Sequence, residues 1–347
     1  MFAERAKIVF NIAEILLNFE NSFAILKWKR ADRTSCFGNR LKKEVIPMYF
    51  IKLRKLVALI LATVFLIGVP IATDSYDVKD KDNCLMNFSV LSDAHIEMNN
   101  SVSRKRFVSA LYDVKNCETE NDALVFLGDN TMSGQVAENL LFNGLIDVIK
   151  PAASVYTAMG NHDTGNGAGE KVFEKRAAYF WNCFNSFHGT NVEAPYYYSQ
   201  ELDHAVFAFM ASEADNSDMS TISKEQVDWL DGVLAKADEK GVPAFVFCHH
   251  PLDFIDENGA ELLYVLMQHH NVFFINGHTH TNKIETRQWG DDTYKLIIPK
   301  CTDVPADGVQ DDSGAGLQIE VYENEVVVRA RRFCTSEWLG EYRYPVK

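Results

Sequence analysis

Residues 123–130 read Ala-Leu-Val-Phe-Leu-Gly-Asp-Asn. Five apolar residues are the length of a buried strand, and Gly128 ends the run. Asp129 and Asn130 follow it at once, with side chains that bind divalent cations through oxygen. The same arrangement occurs four more times along the chain. Leu85 to Leu91 leads to Asp93 and His95. Ser154 to Met159 leads to Gly160, Asn161, His162 and Asp163. Ala244 to Cys248 leads to His249, His250 and Pro251, and Val272 to Ile275 leads to Gly277, His278 and His280. Ligand-type residues at the carboxyl end of strand after strand are how an open α/β sheet builds a site. These residues stand too far apart in sequence for one loop to gather them, so a sheet has to do it.

Helical patterns alternate with these strands. Helices are expected over Ser103 to Asn116, Gln135 to Ile149, Gly169 to Asn185 and Ala260 to His270, with another opening at Ser223. At that opening, Gln226 three residues on predicts a capping box, and Gly241 supplies the stop. Tyr196 to Ser199 and His204 to Met210 read as a hairpin. Leu296 to Pro299, Gly316 to Tyr322 and Glu325 to Arg331 read as antiparallel strands. Strand–helix units followed by a strand meander predict an α/β protein. Its two mixed sheets would pack face to face with helices outside, a four-layer αββα sandwich.

The five motifs together resemble the calcineurin-like metallophosphoesterases, whose pattern runs D-x-H, G-D, G-N-H-D/E, H and G-H-x-H. All five are present in order between Asp93 and His280. The resemblance implies that Asp93, His95 and His280 bind one metal ion, that Asn161, His249 and His278 bind a second, and that Asp129 bridges both. It implies that His162 faces substrate without binding metal. The chemistry of the donors agrees. Two cations about 3.5–4 Å apart need an anionic bridge, and a set of N and O donors without thiolate suits Mn, Fe or Zn. Asp163, His250 and Asn130 are expected beside the ligands or near substrate. The implied reaction is hydrolysis of a phosphomonoester or phosphodiester by a hydroxide shared between two divalent or mixed-valence ions. Purple acid phosphatases carry a metal-binding Tyr three residues after the bridging Asp; here that position is Met132, so a ferric–tyrosinate site is not expected.

Charge divides the chain. Of 34 basic and 48 acidic residues, residues 1–73 hold 12 and 5, which leaves 22 against 43 in the remainder. A body this acidic repels a polyanion, which argues against nucleic acid as the main partner and points to a small phosphoester. Lys52, Arg54 and Lys55 precede an uncharged run from Leu56 to Ala72. That pattern predicts a signal peptide or signal anchor over 48–73, hence export, with the product secreted or anchored at the outer face of the membrane through residues 56–72. A buried core helix is the plainer reading of the same run. Met48 opens a segment of ordinary signal form, so residues 1–47 read as an extension ahead of the true start or as a cytoplasmic segment. Residues 74–83 are polar and read as a linker, and 84–347 as the catalytic domain. Six cysteines follow the signal with no zinc-finger or redox spacing; export permits one or two disulfides, while Cys248 is expected as a buried thiol. Two other functions fit the motifs: a non-catalytic metal-binding module of the same fold, and a metal-dependent nuclease.

Overall fold

A computed structural model describes residues 52–66, 69 and 74–347. Residues 1–47 lie outside the described part, as does some of 48–73. The strand alternation explains the layers. On β2 (Ala123–Phe126), Ala123 and Val125 face one core, while Leu124 and Phe126 face another. β6 (Ala244–Phe247) and β7 (Val272–Asn276) divide the same way, with Phe245, Phe247, Phe273 and Ile275 turned inward. Strands with two buried faces give the continuous apolar runs seen in the sequence.

Two mixed six-stranded sheets result. In the first, β1 (Met86–Leu91), β2 and β3 (Ser154–Thr157) run parallel, and β10 (Gly316–Val321), β11 (Glu325–Arg332) and β12 (Glu337–Pro345) continue antiparallel from β1. In the second, β5 (Val206–Phe209), β6, β7 and β9 (Thr293–Ile297) are parallel. β4 (Tyr198–Glu201) and β8 (Glu285–Trp289) form its antiparallel edges. The inner faces meet through phenylalanines: Phe88 lies 4.8 Å from Phe207 and 4.9 Å from Phe245, ring centre to ring centre. Such tilted and edge-on pairs add to simple area burial.

Helices cover both outer faces. α1 (residues 52–66), α2 (Ser101–Lys115) and α3 (Val136–Ile149) pack in the core outside the first sheet. α6 (Lys224–Lys240) and α7 (Gly259–Leu266) cover the second. α4 (Asn161–Thr164) is a single turn after β3, and α5 (Glu170–His188) buries Phe180, Trp181 and Phe184 near the sheet edges, with Tyr196 and Tyr198 packed alongside. Those aromatics are core.

Several expectations change in detail. β9 is antiparallel to β8 but parallel to β7. β8 and β12 escaped the sequence reading because both are largely exposed edge strands without an apolar run. Ser223 does cap α6 by accepting from the Gln226 amide, but the Gln226 side chain is spent on the Ala211 backbone and Glu213, so the box is half formed. Residues 74–83 are docked despite their polarity. Tyr76 and Val78 are buried, Tyr76 bonds Gln318, the Lys79 amide donates to Glu320 and Arg329 donates to the Asp77 carbonyl. A polar segment can dock when its backbone groups find buried partners. Among the described residues all six cysteines are free, Cys248 among them and buried. No helix of the described residues is long and apolar enough to cross a membrane.

One half-buried base makes the fold sensitive to acid. His188, at the end of α5, hydrogen-bonds Asn143 on α3 at 2.9 Å. Burial, reinforced by Lys55, lowers its pKa from 6.5 to about 3. The folded state therefore refuses a proton that the unfolded state accepts below 6.5. This stability is complete above pH 6.5 and is lost as pH falls toward 3, at about 1.4 kcal/mol per pH unit at most. Urea unfolding at pH 7, 6, 5 and 4 should show a shallower loss for His188→Gln than for the wild type.

Candidate metal centre

The five strand-end motifs meet at the carboxyl ends of β1, β2, β3, β6 and β7. Backbone geometry at these ends is unusual. Asp93, His95, Asp129, His278 and His280 all have positive φ, between 43° and 69°. Left-handed conformations at residues with side chains are uncommon, cost free energy and gather at functional sites. Here they turn each side chain up from its strand toward a common point. Close backbone approach is also needed. A Cβ on Gly160 would fall 2.2 Å from Asp129 Oδ1, and one on Gly277 would fall 1.9 Å from Ser92 Oγ.

Two ligand groups form. Asp93, His95, Asp129 and His280 place one donor atom each within 4.8 Å of one another; His249, His250 and His278 do the same. Asp129 and Asn161 join them. Asp129 Oδ2 lies 3.3 Å from His249 Nε2 and 3.6 Å from His95 Nε2, and Asn161 Oδ1 lies 3.1 Å from His249 Nε2. His95 and His280 bring their Nε2 atoms to 2.8 Å. Asp93 Oδ1 is buried with no hydrogen bond, 3.2 Å from His280 Nε2. Nitrogen and oxygen donors gathered this closely on one point are what a cation site presents. The N and O donor set fits Mn, Fe or Zn.

The electrostatics say the same. Burial opposes charge on Asp93, yet its contacts with His280 and His95 hold its carboxyl well below the usual range. Asp129 is likewise lowered against burial, to about 2, chiefly by His249. Burial disfavours a charged His249 ring, but Asp129, Asp93 and Asp163 outweigh it and push its pKa up to about 9. The pocket demands positive charge, and without cations it takes protons.

The neighbours of the ligands explain how each is aimed, and the sequence reading missed most of them. Ser92 Oγ donates to Asp93 Oδ2 at 2.5 Å and the His278 amide donates to the same oxygen at 3.1 Å. Only Oδ1 is left for metal. His249 Nδ1 donates to the Leu127 carbonyl at 2.9 Å, which leaves Nε2 as the free lone pair. Asn161 Nδ2 donates to Asn166 Oδ1 at 2.8 Å, turning its own oxygen inward. No motif marks Ser92 or Asn166 in the sequence, since each acts through geometry on another residue's side chain.

The remaining expected site residues divide. His162 sits at the mouth, its ring centre 4.7 Å from that of His95 and its Nδ1 on the Met132 carbonyl at 2.7 Å. Asp163 is fully buried and does not face the opening. It accepts from the Gly160, Asn130 and Thr131 amides and from the Thr131 hydroxyl, stapling the ends of β2 and β3 together. Burial and the charge of Asp129 raise its pKa to about 7. Asn130 is buried beneath the site and donates to Thr157 Oγ1. Neither is placed to touch a substrate. His250 is buried against His249 and His278.

The calcineurin-like phosphoesterase family model matches residues 86–282, more than half of the chain. The chain belongs to the calcineurin-like phosphoesterase family. The match takes in every residue of the two ligand groups. No curated sequence matches the chain. Among solved structures, a dimetal phosphatase from Danio rerio is similar with a TM-score of 0.55 and 16% identity, over 76% of this chain and 100% of that one. The purple acid phosphatase PPD1 from yellow lupin is similar with a TM-score of 0.51 and 13% identity, over 74% of this chain and 53% of that one. At these identities the likeness is one of fold.

Ser92 gives this geometry a direct test. Ser92→Ala frees Asp93 Oδ2 and should weaken cation binding at the Asp93–His280 group by roughly 10–100-fold, the usual cost of losing an orienting partner. Ser92→Thr keeps the hydroxyl and should retain affinity. Titration of the metal-free proteins with Mn²⁺, followed by calorimetry, reads the difference.

Proposed function

We propose that the chain is an exported hydrolase of small phosphoesters that works with two divalent cations. The carrying observation is Asp129. Its Oδ2 faces both ligand groups, while its Oδ1 is tied to the His162 amide at 2.9 Å. One oxygen is thus free to be shared between two cations. When bound, such a pair supplies Lewis acidity toward a phosphoryl oxygen and makes water nucleophilic near neutral pH.

The chain's own residues do the rest. Asp93, His95 and His280 hold one cation; Asn161, His249 and His278 hold the other. Substrate enters at the mouth, where His162 stands. Its Nδ1–H is committed to the Met132 carbonyl, which leaves Nε2 as the nitrogen free to carry and exchange a proton. A proton delivered from Nε2 neutralises the leaving oxygen as its bond to phosphorus breaks. The intact ligand set favours catalysis over a purely binding module. The acidic body, 22 basic against 43 acidic residues after residue 73, favours small esters over nucleic acid. Export rests on the Lys52–Lys55 flank and the apolar run to Ala72.

Three measurements test this reading. Asp129→Asn should lower metal content and abolish hydrolysis of a nitrophenyl phosphate or diester; full activity with two metals bound would defeat the assignment. His162→Ala should keep both metals, lose roughly 10²–10⁴-fold in rate, and lose more with alkyl than with nitrophenyl leaving groups. An unchanged dependence on leaving group removes its role as the acid. N-terminal sequencing of the natural product tests the start at Met48, since any peptide from residues 2–47 shows that the upstream segment is translated.

A further inference from the structure

We infer that His250 is a fifth protein ligand of the second cation, which leaves that ion less open than the first and directs the substrate's phosphoryl oxygen to the first. The inference rests on the two-cation reading above. His250 directly follows His249 and is buried, with 2% of its surface exposed. Its Nε2 has no hydrogen-bond partner. A buried ring nitrogen without a partner is uncommon and needs one. The surroundings offer no protein acceptor or donor to it, but they do offer the cation position. A donor nitrogen from each of His249, His250 and His278 lies within 4.8 Å of the others. Nitrogens sharing one cation at about 2.1 Å stand roughly 3–4.2 Å apart, so small ring rotations close the set.

The backbone is fixed for this task. Asn276 Nδ2 donates to the carbonyls of both Cys248 and His250, at 2.9 and 3.1 Å, and Pro251 follows with φ −60°. The His250 ring lies 4.3 Å from that of His278 and 4.9 Å from that of His249. Phe254 packs edge-on against His278 at 5.1 Å. The three rings therefore have little freedom to turn away.

The donor tally becomes unequal. With His250, five side chains (Asp129, Asn161, His249, His278 and His250) would hold the second cation against four (Asp93, His95, His280 and Asp129) for the first. The second would keep fewer positions for exchangeable ligands, so a phosphoryl oxygen would find room at the first, where His162 approaches His95.

The test uses the full chain loaded with Co²⁺. Wild type, His250→Ala and His250→Gln are dialysed against graded chelator, and cobalt per chain is measured by mass spectrometry. Melting of the metal-free proteins checks folding. In both variants the second cobalt should be lost at lower chelator, by more than the roughly 10–100-fold that loss of an outer hydrogen bond costs. The first cobalt should stay. The visible cobalt spectrum should change, and added imidazole should restore occupancy in His250→Ala. Retention of both ions with the wild-type affinity and spectrum would overturn the role of His250. Failure of the wild type itself to bind two cobalt ions would overturn the two-cation reading instead, so the two failures are distinct.

Discussion

Two carboxylates that cannot leave water unaccompanied govern this structure. Asp93 and Asp129 are buried to 0% and 1% exposure, and the charge of Asp93 works to raise the pKa of Asp129. Burying an unpaired carboxylate costs several kcal/mol, and breaking a buried pair leaves that cost exposed. Without cations, imidazoles make up the charge: His249 keeps a proton to about pH 9 on account of Asp129, Asp93 and Asp163, against its own burial. Protons are a poor filling, because they satisfy donors singly and leave Asp93 Oδ1 without a hydrogen bond. A pair of divalent ions satisfies all the donors at once. Metal binding and the integrity of this end of the molecule are therefore one equilibrium.

The strained strand ends persist because the loops beyond the strands are laced together. The His95 and Ile96 amides donate to the Asp129 and Asn130 carbonyls, the Met132 amide returns to Ile96, and the Asp93 amide donates to Gly128. The Gly277 amide donates to His249, and the Cys301 amide to Ser92. Each ligand loop is thus held by a neighbouring ligand loop and not by its own strand alone. This over-determination lets five residues keep positive φ. It also couples the ligands to the sheets: no ligand loop is complete unless the strands pair in register, since each loop borrows backbone bonds from another strand.

The layered fold was legible because β2, β6 and β7 alternate between two apolar cores and so show unbroken apolar runs. The ligand groups were legible because Asp, Asn and His fall directly after those runs. What stayed hidden has a common cause. Ser92 and Asn166 do their work on another residue's far atom, and nothing in their own neighbourhood marks that. Asp163 and Asn130 share the motifs of the ligands yet point beneath them, since a motif gives position along the chain and not direction of the side chain. β8 and β12 lie at sheet edges, where one or both faces meet solvent and no period stands out. Tyr76 and Val78 dock a segment whose composition is otherwise that of a linker.

The apolar run after Lys55 is the place where sequence and structure pull on one another. Its residues Val57, Ala58, Leu61 and Ala62 are buried in the core shared with α2 and α3. A Cβ on Gly144 of α3 would fall 2.8 Å from the Ala58 carbonyl oxygen, so the two helices touch at a small-residue contact. Arg104 of α2 lies 4.3 Å from the Phe65 ring, and Lys55 lies 5.4 Å from that of Phe187. The opposite side of α1 shows Leu56, Leu59 and Ile60 at 53%, 49% and 45% exposure. Apolarity all round a helix is what a membrane requires, whereas a surface helix needs only one apolar stripe. Packing on α3 accounts for one stripe and leaves the other unexplained by the fold. The two surroundings also exclude each other, because a segment crossing a bilayer cannot keep Ala58 against Gly144. The second stripe is thus the part of α1 that the proposed export would explain, and the first is the part that packing on α3 explains.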